Sequence, residues 1–164
     1  VVALGSNLGE RLASLQGAVA SLQDTPDVWV TEVSPVYESD PVDAPEGSRR
    51  FLNAVVLIDT TLSAPTLMDR ALAIEDAFDR DRTAEQNAPR TLDVDLIVVG
   101  DRRSDEEFLR LPHPRAGERA FVLQPWLDVE PDAVLLDAGP IADLLEQVGT
   151  EGLDRRDDLS LDAQ

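Results

Sequence analysis

Phe51-Leu52-Asn53-Ala54-Val55-Val56-Leu57-Ile58-Asp59-Thr60 reads as a β-strand, and its unbroken run from Val55 to Ile58 leaves neither face polar. Successive strand side chains point to opposite faces, so such a run predicts a strand covered on both faces. Before it, Val28 to Pro35 alternates Val28, Val30 and Glu32 against Trp29, Thr31 and Val33, a second strand, and Ser39 to Ser48 is a loop rich in Pro and Asp. Further out, Val1 to Leu4 predicts a strand and Gly5-Ser6-Asn7 a turn. Leu8, Leu12, Leu15, Val19 and Leu22 then mark one helical face, with Asn7 as cap, Glu10 at N3 and Pro26 as the stop. After it, Ser63 with Pro65 opens a helix whose Leu67, Ala71, Ile74 and Phe78 share a face, with Glu75 beside that stripe. Thr83 to Pro89 is a loop, and Leu92 to Val99 is the next strand.

Leu111-Pro112-His113-Pro114 cannot be helix interior and predicts an extended or turning segment. Glu118 to Leu127 is helical up to a break near Pro125, and Pro140 to Val148 forms a short helix. From about Thr150 the residues are charged and small, which predicts a single domain over 1–149 and a disordered acidic tail over 150–164. The order β-α-β, long loop, β-α-β predicts an α/β (α+β) domain of ferredoxin-like outline, a mainly antiparallel sheet with helices packed on one face.

Composition narrows the function. A formal charge of −19 over 164 residues repels nucleic acid and anionic membrane surfaces alike. An anionic substrate therefore needs local compensation. All of it must come from arginine, because the chain has no lysine, and that excludes a Walker lysine and Schiff-base chemistry. The absence of cysteine excludes disulfides, thiolate catalysis and cysteine-ligated zinc. No apolar run is long enough to span a bilayer. With no cysteine, the expectation is a cytoplasmic protein.

The chemistry concentrates in Pro89-Arg90-Thr91-Leu92-Asp93-Val94-Asp95-Leu96. On a strand Asp93 and Asp95 share a face about 7 Å apart, a spacing that can bracket two magnesium ions roughly 3.5 to 4 Å from each other. The same pair also reads as an acidic strand end paired with Arg90. Arg80, Arg82 and Arg90 can grip a polyphosphate by bidentate hydrogen bonds, or form helix pairs such as Asp76 with Arg80. His113, the only histidine, is fixed between two prolines, as suits a phosphate or nucleobase contact or a satisfied structural imidazole. Gly5-Ser6-Asn7-Leu8-Gly9 lacks the ending of a P-loop and reads as a structural turn. Phe51, Asn53 and Phe121 can take a flat heterocycle or pack in the core.

In order, Gly5 to Gly9, Ser34 to Tyr37, Phe51 to Val55, Glu75 with Arg80, Pro89 to Leu96, Leu111 to Arg115 and Arg119-Ala120-Phe121-Val122-Leu123 resemble the 6-hydroxymethyl-7,8-dihydropterin pyrophosphokinases of folate biosynthesis. The resemblance reaches to about Val134. It implies a ferredoxin-like fold and transfer of diphosphate from ATP to the pterin hydroxymethyl group, releasing AMP. It further implies two magnesium ions on Asp93 and Asp95, with Asp95 also able to orient or deprotonate the hydroxyl. Arg80 and Arg90 would act on the transferring phosphates with Arg82 in support, and His113 and Arg119 would contact the nucleotide. Phe51 and Phe121 would sandwich the pterin, and Asn53 would read its edge with the loop around Ser39 to Val42. The chain departs from the family pattern at Asp43, Asp79 and Asn87-Ala88, and Thr83 stands where a basic residue is common. Another Asp-x-Asp magnesium-dependent nucleotidyltransferase, or a non-catalytic acidic interaction module, is the competing expectation. In the polymerase-β-like transferases, though, the Gly-Ser turn and the aspartates lie close in sequence, whereas Ser6 and Asp93 are most of a domain apart.

Overall fold

The computed structural model describes residues 1–41, 47, 49–78 and 92–163. In chain order its elements begin with β1 (Val2–Ser6), α1 (Arg11–Gln23), β2 (Val28–Val33), β3 (Tyr37–Ser39), β4 (Phe51–Thr60), α2 (Ala64–Phe78) and β5 (Asp93–Leu96). There follow β6 (Ser104–Glu106), β7 (Leu109–Leu111), a 3-10 turn at Ala116–Glu118, α3 (Ala120–Val129), β8 (Val134–Leu135), β9 (Gly139–Pro140), α4 (Ile141–Val148) and β10 (Leu153–Arg155). β4 is the axis of the sheet. One of its edges pairs β1, which pairs β5, while its other edge takes β3 along Phe51–Asn53 and β2 along Val56–Thr60. β10 adds outside β3, and all these pairings are antiparallel. The β-α-β, β-α-β order with β1 and β4 central is the ferredoxin-like arrangement the sequence predicts.

The double cover of β4 is real, and it corrects the expectation of helices on one face. Val56, Leu52, Val2, Leu4 and Val94 pack with α1 and α2 through Leu15, Val19, Leu67 and Ile74. Val55, Ala3 and Ile97 pack on the opposite face with Val122, Leu123, Trp126 and Ile141 of α3 and α4. The molecule is therefore three-layered, but the second helical layer covers only part of its face. No helix among the described residues is long and apolar enough to cross a membrane.

Four local expectations change. Helix α1 starts at Arg11 rather than after Asn7, because Gly9 turns the chain at φ +69° and the buried Asn7 amide donates to the Arg49 carbonyl (3.3 Å). Leu8 is accordingly outside the helix and exposed. Helix α3 runs through Pro125, which forfeits one backbone hydrogen bond but is followed by the fully buried Trp126, whose indole donates to Glu130 (2.9 Å). The strand expected over Leu92 to Val99 closes at Leu96, and past Ile97 the alternation slips, so that Val98 and Val99 pack on the faces opposite to those predicted.

The fourth correction is the acidic tail. Within it β10 pairs with β3, Leu159 and Leu161 pack on the α1 side, and Gln16 exchanges two 2.8 Å hydrogen bonds with Asp162. Ion pairs order this segment where apolar residues are few. Glu38, largely buried, receives Arg11 (2.5 Å), Arg50 (3.2 Å) and Arg156 (3.4 Å). Burial alone would raise the Glu38 pKa, and the three guanidiniums outweigh it and hold the carboxyl below its ordinary value.

Candidate active site

Strand register assembles the site. Opposite residues of antiparallel strands point to the same face, so one row runs Asp93, Gly5, Asn53, Tyr37 and the next runs Asp95, Ala3, Val55. Phe51 lies two residues before Asn53 and opposite Ser39, and so joins them. This is the face that α3 and α4 cover over Ala3, Val55 and Ile97. Helix α3 begins at Ala120, with Arg119 and Phe121 at the edge of that cover, and the rows beyond it make a floor that reaches the neighbouring cleft at Ser39.

Each floor residue has a local reason for its place. Asn53 is 3% exposed, and its amide nitrogen donates to Ser39 Oγ (2.7 Å) and, more weakly, to the Tyr37 carbonyl (3.5 Å). Its oxygen faces Gly5. A methyl group at Gly5 would lie 3.5 Å from that oxygen and 3.5 Å from the Phe51 ring, so glycine keeps open the space between amide and ring. Tyr37 donates its hydroxyl to Asp128 of α3, which also accepts from Gln124 (3.1 Å). Burial first, then Asp128, pushes the Tyr37 phenol up to about 12, so it stays a neutral donor tying β3 to α3. The tie sets the separation between the sheet and Phe121.

The carboxylates sit on an outer strand whose free edge is held. Val94, between them in sequence, donates its backbone N–H to Glu75 Oε2 of α2 (2.7 Å). Glu75 thus ties β5 to the layer beneath. Beyond the strand, the His113 N–H donates to the Ile97 carbonyl (2.8 Å), and His113 Nδ1 accepts from the Arg115 N–H (3.2 Å), leaving Nε2 to carry the ring proton. Burial pulls the His113 pKa down; Asp95 opposes this, and Arg119 and Arg115 add to it. Burial likewise lowers the Arg119 pKa against the pull of Asp95 and Asp93. The half-buried His113 imidazole and Arg119 guanidinium therefore both stand within reach of the Asp95 charge. The Arg119 guanidinium also lies 5.5 Å from the centre of the Phe121 ring.

A cleft of about 250 Å³ opens beside this floor, between Ser39 to Pro41 on one side and Arg119 with Phe121 on the other. Its third wall is Gly149 and Glu151 to Leu153, which no motif in the sequence marked. Asp93, Asp95, His113, Arg119, Ser39, Phe51, Asn53 and Phe121 are thus brought to one side of the sheet. Arg80, Arg82, Arg90 and Val42, with Asp43, Asp79 and the loop to Ala88, lie outside the described residues.

Among the described residues no cluster of three or more metal-ligating side chains forms. A pair of carboxylates alone still fits magnesium, which keeps waters and takes one or two protein carboxylates together with substrate phosphates. Carboxylates for magnesium, cations for an anion and aromatic rings for a flat acceptor, gathered on one side of the sheet, define a phosphoryl transferase on a ferredoxin-like sheet.

Comparison with known proteins narrows that class. The profile of the 7,8-dihydro-6-hydroxymethylpterin-pyrophosphokinase family matches residues 1–131, and the chain belongs to that family. It is 39% identical over 154 residues to the 2-amino-4-hydroxy-6-hydroxymethyldihydropteridine pyrophosphokinase of Pseudomonas aeruginosa, with 94% of each chain covered. It is 41% identical over 149 residues to the protein of that name from Synechocystis sp., covering 90% of this chain and 75% of the relative. The Bacillus subtilis protein of that name is 41% identical over 128 residues, 78% of this chain and 75% of the other.

Proposed function

We propose that this protein transfers the terminal diphosphate of ATP to the hydroxymethyl group of 6-hydroxymethyl-7,8-dihydropterin, releasing AMP, as a step of folate biosynthesis. The observation that carries the reading is the register: Asp93 and Asp95 share one sheet face with Asn53 and Phe51, with Arg119 and His113 at their border. An ATP phosphate chain at the aspartates and a pterin ring at the aromatic end would then lie on one surface, end to end.

The acceptor oxygen attacks the β-phosphorus, the bond from that phosphorus to the oxygen it shares with the α-phosphorus breaks, and AMP departs while the hydroxyl proton is lost. Such a transfer asks the protein for position and charge rather than covalent chemistry. Two magnesium ions held by Asp93 and Asp95 would supply charge neutralisation for the phosphates. Arg119 and His113 hold the nucleotide end, and Asp95 orients the hydroxyl and takes its proton. Phe121 and Phe51 face the two sides of the pterin. Asn53, whose amino group is engaged by Ser39, offers its oxygen to a ring donor. Arg80 and Arg90, with Arg82 in support, are assigned to the transferring phosphates on sequence alone, as is Val42 to the pterin loop. With small-molecule substrates of this kind, we take the protein to act as a monomer in the cytoplasm.

The test is incubation with ATP, magnesium and 6-hydroxymethyl-7,8-dihydropterin, separating nucleotides by chromatography. AMP forming in step with pterin consumption is the expected result. Formation of ADP would mean single phosphoryl transfer, and no product would remove the activity from this chain.

A further inference from the structure

The third wall of the cleft comes from the segment that composition marks as a disordered tail. The chain leaves the sheet at Asp40 and re-enters it at Arg50, and both ends are tied to a single carbonyl. Asp40 donates its backbone N–H to Gly152 O (3.2 Å), and Arg50 Nη2 donates to the same oxygen (3.0 Å). The Arg50 guanidinium also spans Asp40 (2.9 Å) and Asp154 (2.9 Å). Gly152 sits at φ +77°, where side chains are strained, and a Cβ there would lie 2.7 Å from Asp40 Oδ2. The Asp40 carboxylate could swing clear, but in doing so it would give up Arg50.

Beyond Gly152, Leu153 pairs with Ser39 and Arg155 with Tyr37. Strand β3 is only three residues long and would be the sheet edge without β10. Short edge strands open locally at little cost. Ser39 both lines the cleft and orients the Asn53 amide, so any fraying of β3 reaches Asn53 directly. The segment is anchored at both ends: Gly149 leaves α4 on one layer, and Leu159, Leu161 and Asp162 dock on the other. The family profile stops at residue 131, well before it.

We infer that residues 149–156 are a positioning strap for the acceptor end of the site. By binding Asp40 and Arg50 at one carbonyl and pairing with Ser39, the strap fixes where Ser39 and Phe51 stand relative to Phe121. It presets pterin affinity far more than nucleotide affinity, since of the residues assigned to the nucleotide end only Arg119 lines the cleft that the strap walls. The inference rests on the reading of the cleft as the pterin site.

Two variants of the full chain test it: Gly152→Ala, and a chain ended after Gly149. The measurements are calorimetric affinities for 6-hydroxymethyl-7,8-dihydropterin and for magnesium with α,β-methylene-ATP, taken well below the thermal midpoint of each variant. Gly152→Ala is expected to weaken pterin binding roughly tenfold, the truncation more, with nucleotide affinity within roughly twofold of the parent, because lost preorganisation is felt only where the strap acts. If the truncated chain does not fold, Gly152→Ala alone decides. A segment that serves only stability would lower the midpoint and leave both affinities as they were, and that result overturns the strap. A parent chain that binds the nucleotide but no pterin overturns the reading of the cleft and the strap with it.

Discussion

Asp95 is the residue on which the proposed chemistry turns. Asp95→Asn removes one charge from a pair of neighbouring carboxylates, so the fold sheds repulsion with Asp93 and gives up the attraction of Asp95 for the half-buried Arg119 and His113. Transition-state stabilisation, however, loses a magnesium ligand. The expected outcome is AMP formation reduced at least a thousandfold, about 4 kcal/mol in the barrier, with a thermal midpoint close to the parent's. Turnover within tenfold of the parent would sink the assignment of Asp95 to metal and hydroxyl. Phe121 makes the complementary case. It is only half-buried at the start of α3, so Phe121→Ala is expected to cost little stability but about 1 to 3 kcal/mol of pterin affinity by calorimetry. Unchanged affinity would make it core. That Phe51, Asn53, Asp93 and Asp95 are face-mates within their own strands was legible from period two. That Asp93 stands opposite Gly5, and Gly5 opposite Asn53, was not, since register is set between strands by tertiary packing.

Elements hold the site through ties that composition hides. Glu75 on α2 takes the Val94 N–H at the free edge of β5, so Glu75→Ala leaves that donor to water and loosens the strand bearing both aspartates. We expect about 1 to 2 kcal/mol of lost stability in urea unfolding, accompanied by a drop in kcat larger than any change in pterin KM. Equal changes in the two constants would argue against a role confined to β5. The Tyr37 to Asp128 tie between β3 and α3 carries a pH signature. Because the phenol is raised in the folded protein, its contribution is complete below the unfolded value near 10 and disappears as pH climbs through about 12. Tyr37→Phe should flatten that alkaline loss in thermal melts across the same window, and a parent-like slope would show that other groups carry it. The sequence announced β4, α2 and the central order plainly, through apolar runs and helical spacing. It misplaced the start of α1 and the end of α3, where Gly9 and Trp126 override the usual signals of Asn7 and Pro125. It missed β10, a three-residue strand held by backbone pairing and by ion pairs around Glu38 and Arg50, which leaves no hydrophobic period to read.

At the scale of the whole molecule, charge is the dominant unusual quantity. A net −19 on 164 residues means that each carboxylate is surrounded, beyond its local partners, by an excess of its own sign. Compactness therefore works against long-range repulsion, which salt screens over a Debye length of about 10 Å at 0.1 M and about 3 Å at 1 M. Local pairs respond the other way, since screening weakens them. Exposed ones such as Arg103 with Asp137 are already screened by water, so there is little to lose. The cluster around Glu38 is shielded by its burial, the Glu38 side chain being 15% exposed. With little to lose in each local pair and a large excess charge to screen, repulsion wins. Raising sodium chloride from about 0.05 to 0.5 M should stabilise the fold by about 1 to 2 kcal/mol, roughly 2 to 8 °C in thermal midpoint for a domain of this size. The Glu38→Gln variant separates the two effects: it starts from a lower midpoint because three guanidiniums lose a shared anion, yet should gain as much from salt as the parent does. A midpoint that falls with salt in the parent and rises in Glu38→Gln would mean that the ion-pair cluster, rather than the overall charge, governs how this fold answers its ionic surroundings.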